Sequence, residues 1–157
     1  MWETLLIAIV GGLLATLGQV ATPIVNHVLS KKIKSEERKR DQALQALEAL
    51  AELDAYVQAM ININAWGHDI APPSSPAWKI RTTVGMHFPD LDAEILQFNL
   101  SLVELEKWTI DAGLRRLHGK IDQIKDDFLS AYQPWYLARN SLEDRLVGIA
   151  REWDGKA

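Results

Sequence analysis

The sequence predicts an all-α protein: one N-terminal transmembrane helix followed by a cytoplasmic up-and-down helical bundle. Three observations carry that reading. An uncharged apolar run opens the chain, apolar residues recur at helical spacing through most of the remainder, and no stretch alternates convincingly as a strand. The three domains expected are a membrane anchor over 1–30, a basic juxtamembrane linker helix over 31–42 and a helical bundle over 43–157.

The run comes first. No Asp, Glu, Lys or Arg occurs between Thr4 and Ser30, and Leu5 to Val25 is its most apolar part. As a helix those 21 residues measure about 31 Å, close to the ~30 Å hydrocarbon core of a bilayer. Leu, Ile and Val fall on every side of it, whereas a soluble amphipathic helix keeps a polar face. A cleavable signal peptide fits less well, since the start is Met1-Trp2-Glu3 rather than basic and no Ala-x-Ala site follows. Along one side of the run, Thr4, Ala8, Gly11, Ala15, Gly18 and Thr22 succeed each other at spacings 4, 3, 4, 3, 4. Apolar burial does not drive helices together in lipid, so close approach at small residues must do so. That seam predicts a homo-oligomer through the span.

Lys31, Lys32, Lys34, Arg38, Lys39 and Arg40 follow the run, while no Lys or Arg precedes it. The positive-inside rule then sets the N-terminus outside and the rest in the cytoplasm, in a cell inner membrane. These six cations are also the expected contact with lipid headgroups. Nucleic acid is disfavoured: residues 43–157 carry 11 basic against 17 acidic side chains, a net of −6.

Beyond Pro23 no proline or glycine interrupts the chain until Gly67, and Gln42 to Leu50 is rich in Ala, Leu, Gln and Glu. Ile33 is nearly alone as an apolar residue in 31–42, which predicts a solvated helix there. The segment Trp66 to Pro76 reads as a loop, with Gly67 ending one helix and Ser75-Pro76 starting a short one that runs to His87. Pro89 stops it. A long helix follows in which Leu91, Ile95, Phe98, Leu102 and Leu105 make one stripe. Leu96, Leu100, Val103, Ile110, Leu114 and Leu117 widen it, which predicts packing on more than one side. Ile121, Ile124 and Phe128 keep the period through Gly113 and Gly119, and Pro134 is the expected break before a last helix to Trp153.

Chemistry is sparse. The absence of cysteine excludes disulfides, thiolate metal sites and cysteine catalysis. The four histidines form no His-x-x-x-His or Glu-x-x-His pair, no phosphate-binding glycine loop is present, and the Asp90/Asp92 and Glu104/Glu106 pairs sit two apart, on different sides of a helix. No catalytic residue, metal or cofactor is expected. Of the six tryptophans, the five in the bundle are expected to fill its core. The candidate ligand or partner residues are the aromatic group Tyr132, Trp135 and Tyr136 and the basic group Arg115, Arg116, His118 and Lys120, which could take an anionic ligand. The function expected is a single-pass membrane-anchored module that recruits or senses a partner at the inner membrane surface. The alternative is an oligomeric membrane-disrupting effector, of the plan seen in small toxins and phage-defence proteins, whose bundle senses a protein or an anionic ligand.

Overall fold

The computed structural model describes the backbone from Trp2 to Asp154 and the side chains of residues 30–152. The expected span Leu5 to Val25 and the seam Thr4, Ala8, Gly11, Ala15, Gly18, Thr22 lie outside the described side chains. Among the described residues, no helix is long and apolar enough to cross a membrane. The described residues form four α-helices: α1 (Trp2–Asn64), α2 (Ala77–His87), α3 (Asp92–Leu117) and α4 (Phe128–Asp154). The chain divides into two compact units, Met1–Arg38 and Lys39–Ala157. In the first, Lys31, Lys32, Lys34 and Arg38 are exposed, as is Ile33.

The second unit is a four-helix up-and-down bundle. Residues of α1 from Ala43 onward supply one wall, with Ala43, Ala46, Leu50, Leu53, Val57 and Ile61 buried at spacings of three and four. The alanines let neighbouring helices come close; the larger residues below them fill the space. Helix α1 ends where Gly67 takes φ of +74°, and the amides of Gly67 and His68 turn back to the carbonyls of Ile63 and Asn62 at 3.1 and 3.0 Å. Ile80 and Val84 of α2 and Phe88 beyond it close one end of the core. The Ser75 hydroxyl accepts from the Ala77 amide at 3.4 Å, so the expected start signal acts one residue earlier than a standard cap.

On α3 the first predicted stripe is the buried one: Ile95, Phe98, Leu102 and Leu105, preceded by Leu91 in a 3₁₀ turn at Pro89–Leu91. The expectation that the wider apolar face is also packed does not hold. Leu96, Leu100, Val103, Ile110, Leu114 and Leu117 are between 47% and 74% exposed. The reason is that α1 and α4 meet α3 on either side of the core stripe, and no described side chain covers the side opposite.

A second correction concerns the last break. Helix α3 stops at Leu117, where Gly119 takes φ of +72°. The amides of Gly119 and Lys120 bond the carbonyls of Arg116 and Arg115 at 3.0 and 2.8 Å, a Schellman motif with glycine in its left-handed position. A 3₁₀ turn at Ile121–Ile124 leads into α4, which contains Pro134 instead of starting at it. Proline costs the bond to the carbonyl four residues back, that of Ser130, but Ser130 and Pro134 are both exposed and water can replace the bond. Helix α4 buries Trp135, Ala138, Leu142, Leu146 and Ala150.

The tryptophans divide. Trp108 and Trp135 are core residues, whereas Trp66 and Trp78 are exposed, contrary to expectation, because they sit at a helix end and on the outer side of α2; Trp153 lies outside the described side chains.

Candidate functional site

Placing Phe128 inside α4 joins four aromatic residues on one helix: Phe128, Tyr132, Trp135 and Tyr136, at i, i+4, i+7 and i+8. They form a continuous ladder with Trp108 of α3. Ring centroids are 5.0 Å apart for Trp108 and Phe128, 5.1 Å for Phe128 and Tyr132, 5.3 Å for Tyr132 and Trp135, and 6.1 Å for Tyr132 and Tyr136.

Two hollows open where this ladder meets α1. The apolar one, of about 580 Å³, is lined by Ile61, Trp66, Trp108, Phe128, Leu129 and Tyr132. That volume and lining suit an apolar ligand or an inserted side chain. The polar one, of about 610 Å³, shares Gln58, Ile61 and Tyr132 with it and continues to Tyr136 and Arg139. Together they make one cleft where α1, α3 and α4 meet. The indole Nε1 atoms of Trp108 and Trp135 are buried and have no hydrogen-bond partner among the described residues. Such donors carry a desolvation cost of about 1–3 kcal/mol each.

The polar end is held by Arg139. Its guanidinium donates to both oxygens of Asp54 on α1, at 3.1 and 2.7 Å, and to Glu143 one turn along α4. Burial opposes its charge, and the hydrogen bonds and charges of Asp54 and Glu143 outweigh that, leaving its pKa above the ordinary value. Two residues beyond Asp54 on α1, Tyr56 donates to Glu106 at 3.1 Å. Burial, and then the Glu106 charge, raise its phenol pKa.

The basic group is engaged within the bundle. Arg115 donates to the Gln123 carbonyl at 2.7 Å and to Asp127 at 2.9 Å, which pins the turn between α3 and α4. Arg116 donates to the Asn64 carbonyl at 3.0 Å and so closes the end of α1. The His118 ring lies 2.7 Å from the Leu114 carbonyl through Nδ1. Lys120 is exposed on the loop. The four are therefore not gathered around one hollow, while Tyr132, Trp135 and Tyr136 are. Sequence reasoning missed Trp66, Trp108 and Phe128 as companions of those three. The signal was the i, i+4, i+7, i+8 pattern, which a break at Pro134 cuts in two.

Among the described residues, no three His, Asp or Glu side chains gather where they could hold a metal ion. No family model, curated protein or solved structure matches this chain.

Proposed function

We propose that this chain is a single-pass membrane-anchored helical interaction module without enzymatic activity. Its anchor is the apolar run before Ser30, its bundle lies on the cytoplasmic side, and the bundle recruits or senses a protein partner at the inner membrane surface. Lys31 to Arg40 supply the topology signal and the lipid contact in this reading. The observation that carries the recognition step is the aromatic cleft. It offers packing surface and two aromatic side chains with polar tips, the combination found at binding hot spots. The partner inserts an apolar or aromatic side chain into the hollow beside Leu129.

A photoreactive amino acid at Leu129, in living cells, tests this. Leu129 is exposed and lines the hollow, so its probe captures a discrete protein. The same probe at Arg81, exposed on α2 away from the cleft, captures none. Equal capture at both positions, or none at either, would reject the cleft as a recognition site.

The second reading is the membrane-disrupting effector, favoured by the small-residue seam from Thr4 to Thr22. A membrane-potential dye separates the two. Induced full-length chain that depolarises cells, while a chain starting at Lys31 does not, supports the effector. An unchanged potential with both supports the anchor.

A further inference from the structure

The outward side of α3 carries a feature that neither the cleft nor the anchor uses. Leu96, Leu100, Val103, Lys107, Ile110, Leu114 and Leu117 follow one another at spacings 4, 3, 4, 3, 4, 3. That is a complete a/d seam over three heptads, with one lysine at its middle. All its apolar members are exposed. Their neighbours on both flanks are occupied. On one flank Glu106 meets Tyr56 and Gly113 lies against Asn64, both of α1. On the other, Glu104, Trp108 and Asp111, with Leu100 and Lys107 of the seam at the rim, line a groove shared with Ser130 and Ala131 of α4. The seam is thus a raised outer ridge, not a gap in the core.

We propose that this ridge is a self-association surface, on which a second copy of the chain lays its own α3 in the antiparallel direction. Area argues for a stable contact. The six apolar side chains leave roughly 600 Å² exposed per copy, so complete coverage of both ridges removes roughly 1,200 Å² from water, the lower bound for specific interfaces. Charge argues for the occupant and its direction. Lys107 bridges Glu104 of its own helix at 2.6 Å, and Asp111 lies four residues on. A parallel pair sets the two Lys107 ammonium groups in one layer. An antiparallel pair staggers them, and each lies beside Glu104 or Asp111 of the other copy, which flank the same edge of the seam. A lipid surface is the poorer occupant. Interfacial helices surround their apolar face with Lys and Arg, whereas this ridge is rimmed by Glu104, Glu106 and Asp111. The inference does not rest on the proposed function.

The chain has no cysteine, so introduced ones report cleanly. Leu96→Cys and Leu117→Cys full-length chains, purified separately in mild detergent, are mixed and treated with a short bis-maleimide. Antiparallel pairing brings the two positions together and holds the two Leu96 sites roughly 30 Å apart. The mixture therefore yields cross-linked dimer and Leu96→Cys alone does not. Adding Val103→Asp and Ile110→Asp lowers the yield at least tenfold with helicity unchanged, because both positions are exposed. Should that pair of changes disturb folding, Lys107→Glu at its exposed site serves instead and lowers the yield several-fold. No dimer from the mixture, cross-linking of Leu96→Cys with itself, or full yield from a folded Val103→Asp/Ile110→Asp chain would each overturn the proposal.

Discussion

Leu102 and Val103 are adjacent on α3 and opposite in environment: the first is 3% exposed, the second 47%. Truncating each to alanine tests the register of the central helix against itself. Leu102→Ala removes three carbons from a site between Phe98 and Leu105, both essentially inaccessible. At about 0.8 kcal/mol per carbon the transfer cost is roughly 2.4 kcal/mol, and the cavity left behind brings it to about 2–5 kcal/mol. Against a typical total of ~5–15 kcal/mol, and at roughly 2–4 °C per kcal/mol for a chain of this size, the midpoint falls by about 10 °C. At concentrations low enough for the chain to be monomeric, Val103→Ala stays within about 0.5 kcal/mol, hence roughly 2 °C. The near-ultraviolet circular dichroism of the packed Trp108 and Trp135 rings follows the bundle through a thermal melt. Equal shifts for the two variants, or a larger one for Val103→Ala, would mean that α3 is rotated from the orientation described.

Three further outcomes are expected. Arg139→Met removes hydrogen bonds to Asp54 and Glu143 and costs about 2 kcal/mol in a urea titration, since both carboxylates are partly solvated and survive the loss of their partner; an unchanged urea midpoint would show that the bridge contributes nothing. Tyr56→Phe acts at alkaline pH: the folded phenol holds its proton above the unfolded pKa near 10, so its contribution is whole below pH ~10 and lost as pH rises through the folded value. The variant therefore shows a shallower loss of stability above pH ~10 than wild type, and identical alkaline limbs would contradict the Glu106 contact. Gly119→Ala forces a side chain into the left-handed position that ends α3; nothing lies within 4 Å of the added carbon, so backbone strain alone costs about 1–2 kcal/mol, read from the same melts.

What the sequence made legible was whatever one helix decides alone. The Ile95, Phe98, Leu102, Leu105 stripe, the loop after Gly67 and the short helix ending at His87 follow from periodicity and from glycine and proline chemistry. What it hid depends on neighbours. Leu96 to Leu117 have the same composition and spacing as the buried stripe, and only the positions of α1 and α4 decide which of two equivalent faces is covered. Pro134 looked like a boundary because proline inside a helix is costly, but the cost is small where the orphaned carbonyl is wet. That one misplaced boundary left Phe128 out of the group of Tyr132, Trp135 and Tyr136, and the cleft with it. Arg115 and Arg116 read as a cationic pair because their acceptors, the Asn64 and Gln123 carbonyls, are backbone atoms that no residue type announces.

In the proposed function a recognition bundle is held at a membrane by the run from Leu5 to Val25. Alkaline carbonate extraction of cell membranes measures this most directly, because it strips peripheral proteins and leaves spanning ones. The full-length chain is predicted to stay with the membrane pellet, and a chain starting at Lys31 to pass into the supernatant. Full-length chain released into the supernatant would contradict the anchored reading.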